Sequence, residues 1–117
     1  MFKPITLSLF MVTSLISTNA QSADCDISGI WNHSAKPAKL SIDLKKGEIF
    51  VYSHENNSKA VGAVVIKSLA LDSTTLQWKA KMYSAADDSF VDVNIIANAC
   101  SQLNVSYRGE EVLRLIR

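Results

Sequence analysis

The chain has 117 residues, of which 48% are hydrophobic and 20% charged, and its formal net charge at pH 7 is +1. One domain is all that this length accommodates. The near-neutral balance argues against a basic face for nucleic acid or for an anionic membrane surface, so neither is predicted as a partner.

The first twenty residues have the layout of a secretory signal peptide. Lys3 gives a positive start, residues 5–16 form an apolar stretch, and small residues follow up to Ala20. The apolar stretch is too short for a spanning helix. We predict cleavage after Ala20, or as late as Ala23, which leaves residues 21–117 as a periplasmic or secreted domain without a membrane span.

Two cysteines, Cys25 and Cys100, are present. Asp24, directly before Cys25, does not suit lipid attachment, which requires a small residue at that position. An even number of cysteines in an exported chain predicts a disulfide. His33 and His54 are the only histidines and show no spaced ligand pair, so no metal site is predicted.

Alternation of apolar and polar residues predicts strands throughout the chain from Gly29 onward. Tight turns rich in Gly, Asn, Asp and Ser separate them. The expected strands are 29–34, 39–45, 49–54, 60–71 with a bulge near Lys67–Ser68, 76–83, 91–95, 103–107 and 112–117.

Eight sequential strands joined by tight turns predict an all-β, antiparallel up-and-down barrel, because closing such a meander removes its exposed edges. A sandwich of two sheets is the alternative, but the turns are too short for comfortable crossovers. In a closed barrel the first strand lies beside the eighth. Cys25 and Cys100 would then meet near one rim, so the disulfide fits the barrel.

Gly29-Ile30-Trp31 opens the first strand and Arg117 ends the last. This pattern resembles the lipocalin-like barrels, in which the tryptophan of a Gly-x-Trp motif packs under an arginine of the last strand. The resemblance implies that Trp31 and either Arg117 or Arg114 close the barrel through a cation–π contact.

The chain is also similar to a family of small exported bacterial proteins of unknown function. The shared motifs are the early Gly-x-Trp, Val-Gly-x-x-x-Ile-Lys at residues 61–67, Trp-x-x-x-x-Tyr at residues 78–83 and the closing arginine. This resemblance implies the barrel fold and no particular chemistry.

An eight-stranded barrel is either filled by its own side chains or holds one small ligand. Bulky residues, Leu44 and Leu76 among them, are expected to point inward, so a filled core is one alternative. The other is a small apolar pocket, with four residues as candidates for ligand binding: Trp31, Trp78, Met82 and Tyr107.

Two neighbouring strands, 49–54 and 60–71, are apolar on both faces, which a half-solvated strand does not require. We expect Phe50, Tyr52, Val64 and Ile66 to form an outward patch for a protein partner or a homodimer. Cover by residues 24–28 of the same chain is the alternative.

Catalytic motifs are missing from the sequence. His33 and His54 are not accompanied by a nucleophile motif or a phosphate-binding loop. Asp87 and Asp88 offer too few ligands for calcium. The sequence therefore predicts a binding protein without an enzymatic activity or a cofactor.

Overall fold

The computed structural model describes residues 25–117, so the predicted signal peptide and its cleavage sites at Ala20 and Ala23 lie outside the described residues. Eight strands and one short 3-10 helix make up this part of the chain. The strands are β1 (Gly29–His33), β2 (Ala38–Asp43), β3 (Glu48–His54), β4 (Val64–Asp72), β5 (Gln77–Ser84), β6 (Ser89–Asn98), β7 (Gln102–Tyr107) and β8 (Glu110–Ile116).

Each strand pairs antiparallel with the next, and β8 pairs with β1 to close the barrel. The predicted eight-stranded up-and-down barrel is thus confirmed. The β1–β8 seam is short, because its register consists of Asn32 with Ile116 and His33 with Leu115. One further backbone bond, from the amide of Ser34 to the carbonyl of Arg114, extends this seam.

The start of β4 differs from the prediction by four residues. Residues 58–60 form the 3-10 helix, and Gly62 has a φ of +93°, which interrupts an extended strand. The bulge predicted near Lys67–Ser68 is confirmed. Lys67 pairs with Lys81 and Ala70 pairs with Lys79, so β4 has one residue more than β5 between these two pairs. Ser68, within this bulge, has a φ of 59°.

The barrel interior holds a continuous apolar core. Its largest fully buried side chains are Ile27, Trp31, Ile49, Ile66, Ile95, Leu103, Val105 and Leu115. Two expected core residues differ from the prediction. Leu44 is 37% exposed because β2 ends at Asp43, and Leu76 is half-buried in the turn before β5 with a φ of 60°.

One end of the barrel carries the disulfide, which joins Cys25 and Cys100 across a Cα–Cα distance of 5.4 Å and confirms the predicted pairing. Ile27, from the segment that precedes β1, is fully buried in the core next to it. We call this the disulfide end, and the opposite end, where β1 ends and β2 begins, the mouth end.

Candidate ligand-binding site

Within residues 25–117, two adjoining cavities that share Met82 open at the mouth end. The larger mouth cavity has a volume of about 210 Å³ and is lined by His33, Lys36, Ala38, Leu40, Val51, His54, Val65, Met82 and Leu113. The smaller mouth cavity has a volume of about 120 Å³ and is lined by Met82, Tyr83, Ser84, Val91, Val93, Tyr107 and Val112. Met82 lines both, so its side chain separates them.

Local backbone irregularities shape the mouth end. The β2–β3, β3–β4 and β7–β8 registers each shift by one residue, which places Tyr52, Val65 and Val112 in bulges. Bulges are common at barrel rims and beside binding sites, because they bend the strand and re-aim side chains. Val65 and Val112 line the cavities themselves. Two of these three bulges therefore place a side chain in the lining of the mouth cavities.

Of the four residues predicted to bind a ligand, Met82 and Tyr107 line the cavities. Trp31 and Trp78 line neither cavity. Trp31 is fully buried, and its Nε1–H donates to the carbonyl oxygen of Ile27 at 2.8 Å. Trp78 packs against the core near the start of β5, where its buried Nε1 has no hydrogen-bond partner within residues 25–117. The two tryptophans therefore belong to the core and stand apart from the two mouth cavities.

The mouth end also contains His33, Lys36 and His54, which the sequence does not predict as site residues. His33 ends β1, Lys36 lies in the following turn, and His54 ends β3 opposite Ala38 of β2. All three line the larger mouth cavity. The one signal in the sequence is that predicted strands 29–34 and 49–54 run parallel in an up-and-down meander and therefore end on the same side.

The two imidazole rings are held by their own turns. His33 Nδ1 accepts a hydrogen bond from the amide of Ala35 at 3.0 Å, and His54 Nδ1 accepts one from Asn56 at 3.2 Å. In a neutral ring that accepts at Nδ1, the proton is on Nε2. Burial lowers the pKa of His33 below its usual value, and the nearby Lys36 and His54 lower it further.

Arg117, directly after β8, bonds to the segment before β1 and to the turn between β6 and β7. Its guanidinium lies 4.0 Å above the Trp31 ring and donates to the carbonyl oxygens of Asp26 at 2.6 Å, Ser28 at 3.1 Å and Cys100 at 3.3 Å. Arg114 instead faces outward and bonds Glu111 at 2.8 Å. Of the two arginines that the resemblance offered, Arg117 occupies the closing position. Its hydrogen bonds connect the end of β8 to the segment before β1 at the disulfide end, where β1 and β8 are no longer paired.

The outward patch exists in part. Cross-strand pairing aligns Ile30, Ser41, Phe50 and Val64 across β1 to β4, and we call these four residues the outer row. Phe50 is half-buried, and Ile30 and Val64 are 40% and 36% exposed. Tyr52, also predicted for the patch, is 54% exposed.

Ile66 was predicted to lie on the outward patch, and this is wrong because the residue is fully buried in the core. Phe50 pairs with Val64, but its neighbour Ile49 pairs with Ile66. The extra residue, Val65, lets β4 change faces between positions 64 and 66. A strand that is apolar on both sides gives no sequence signal for such a change.

Within residues 25–117, no group of three or more His, Cys, Asp or Glu side chains is placed to hold a metal ion. In the same part of the chain, no helix has the length and apolar character needed to cross a membrane. Comparison with known protein families, characterised proteins and solved structures finds no match to this chain.

Proposed function

We propose that this protein is an exported lipocalin-like barrel that binds a small, largely apolar ligand at its mouth end. The observation that carries the proposal is the lining of the larger mouth cavity. Leu40, Val51, Val65, Met82 and Leu113 form its wall. At about 210 Å³ the cavity is smaller than the roughly 300–1,000 Å³ of drug-sized pockets, so the ligand is expected to be small.

The disulfide supports the exported location in this proposal. Cys25 and Cys100 are bonded, and such bonds persist in oxidising compartments such as the bacterial periplasm. The bond lies at the end opposite the mouth. Ligand entry and the covalent link therefore use separate parts of the barrel.

Met82→Trp is expected to weaken ligand binding by roughly tenfold or more, because the larger side chain at the wall between the cavities occupies space in both. The measurement is native mass spectrometry of protein purified from the periplasm without refolding, followed by calorimetric titration with octan-1-ol as an apolar probe. Phe50→Trp, on the outer row, is the matched control and is expected to leave binding unchanged. Equal binding by the Met82 variant and the wild type would contradict the mouth as the binding site.

A second candidate function, a protein-interaction module, is favoured by the outer row. In this row Phe50 lies beside Val64, and Ser41 separates Phe50 from Ile30 on the same outer face. A groove of about 410 Å³, lined in part by Phe50 and Leu44, lies beside it. Apolar residues gathered on an outer face are typical of surfaces that bind another protein or a second copy of the chain.

Phe50→Glu tests this second candidate. The charge is expected to abolish association through the outer row and to leave ligand binding at the mouth unchanged, because Phe50 lines neither mouth cavity. Sedimentation and pull-down experiments compare the variant with the wild type. A wild-type monomer that captures no partner would contradict the interaction module, and a variant that fails to fold would contradict the outward position of Phe50.

A further inference from the structure

A basic rim borders one side of the larger mouth cavity. It consists of His33, Lys36 and His54, and the rest of the lining is apolar. The cavity is therefore divided into a cationic edge and an apolar interior. A purely apolar ligand would use the interior and leave the edge without a partner.

The polar groups of the basic rim are donors. Both histidines use Nδ1 to accept a bond from their own turn, which leaves Nε2–H as the free donor in each neutral ring. Lys36 carries an ammonium group, and it forms no salt bridge within residues 25–117. These donors call for an acceptor, and an anionic oxygen is the acceptor that bonds them most strongly.

The charges around the rim leave it positive. Within residues 25–117, no acidic side chain lines the larger mouth cavity, and β4, β5 and β8 contribute the uncharged Val65, Met82 and Leu113. Glu55 and Lys39, of opposite charge, line a neighbouring depression that shares His33 and Lys36 with the rim. On β8, Arg114 is already paired with Glu111.

The lowered pKa of His33 agrees with a positive potential at the rim. Burial lowers it first, and electrostatic interaction with Lys36 and His54 lowers it further. An anion placed at the rim would offset that repulsion and favour the protonated ring.

We infer that the ligand is an amphipathic monoanion whose apolar body lies among Leu40, Val51 and Met82 and whose carboxylate lies at the basic rim. This inference rests on the proposed ligand-binding function and narrows it to one chemical class. The apolar body gains from leaving water, and the carboxylate gains charge-assisted hydrogen bonds at the edge of the cavity.

The test compares three probes of equal chain length, octanoate, octan-1-ol and octylamine, by calorimetric titration of the processed protein near pH 7. Octanoate is expected to bind roughly tenfold more tightly than octan-1-ol, and octylammonium more weakly than both, because the rim repels a cation. Equal binding of octanoate and octan-1-ol would overturn the inference and leave the proposed function standing. If no chain length from butanoate to dodecanoate binds, and the corresponding alcohols also fail, the proposed function itself is overturned.

A matched pair of variants locates the carboxylate. Lys36→Glu is expected to weaken octanoate binding by roughly tenfold or more and to leave octan-1-ol binding unchanged. Lys45→Glu changes the net charge by the same amount at the disulfide end, away from the rim, and it is expected to have a much smaller effect. An equal loss in both variants would mean that only the general surface potential acts, which would overturn the position assigned to the carboxylate.

The affinity for octanoate is also expected to rise as the pH falls from about 8 to about 6, where a carboxylic acid with a pKa of roughly 4 stays ionised. This direction of the pH dependence comes from His33. A bound anion raises the pKa of His33, so binding is accompanied by proton uptake and becomes tighter as the pH falls. His33→Gln is expected to flatten this profile. A wild-type affinity that does not change with pH would contradict the contact between the carboxylate and His33.

Discussion

Replacing both Cys25 and Cys100 with alanine is expected to lower the free energy of unfolding by roughly 4 kcal/mol. The two residues are 75 positions apart, so the bond closes most of the described chain into one loop and restricts the unfolded state. For a domain of this size, such a loss corresponds to a fall in melting temperature of roughly 15 °C or more.

Denaturant titration of the double variant measures this loss directly. Alanine is a small apolar replacement at Cys25, which is buried in the core, so the packing changes little compared with the loss of the covalent link. Dithiothreitol should lower the melting temperature of the wild type and leave the double variant unaffected. Unchanged melting of the wild type on reduction would mean that the bond contributes nothing to stability.

The disulfide and the mouth lie at opposite ends of the barrel, which makes their effects separable. The double alanine variant should keep its ligand affinity at temperatures where it remains folded, because Cys25 and Cys100 line neither mouth cavity. Substitutions such as Lys36→Glu should change ligand binding and leave the free energy of unfolding nearly unchanged, because Lys36 is exposed and lies at the rim.

The barrel could be predicted from the sequence because its strands alternate clearly and its turns carry the residues that turns require. The segment Val91–Ile95 is an example, since its apolar positions 91, 93 and 95 all point toward the interior. The disulfide could be predicted from the even number of cysteines in a chain with a predicted signal peptide. Closing the barrel brings Cys25 and Cys100 to the same end.

The one-residue shifts between strands could not be predicted. At Val65 the chain changes faces within a run of apolar residues, so either face satisfies the pattern and Ile66 was placed outside. The basic rim was missed for another reason. Lys36 and His54 are far apart in the sequence, and only the pairing of β2 with β3 brings them to one edge. A side chain in a polar turn is predicted to be solvated from the sequence alone, and only the strand topology shows that it borders a cavity.

Trp31→Ala is expected to have the largest effect of any single substitution in the core, with a loss of roughly 3–5 kcal/mol from the cavity that it leaves. Trp31 is fully buried, its Nε1–H bonds the carbonyl of Ile27, and its ring lies under Arg117. Trp78→Ala is the matched comparison and should cost less, because Trp78 is half-buried and its Nε1 has no partner within residues 25–117. Denaturant titration of both variants gives the difference, and an equal cost would contradict the special place of Trp31.

The contact between Trp31 and Arg117 needs a milder test, because the alanine variant loses packing as well. Trp31→Leu removes the aromatic face and Arg117→Met removes the cation, while both keep part of the apolar volume, so combining them gives a double-mutant cycle. We expect a coupling of about 1 kcal/mol, the size of a cation–π contact. Arg114→Met, outward and paired with Glu111 in the wild type, should show no coupling to Trp31→Leu. Additive effects of Trp31→Leu and Arg117→Met would mean that Arg117 acts through its three carbonyl contacts alone, and the indole would then contribute through packing and its bond to Ile27.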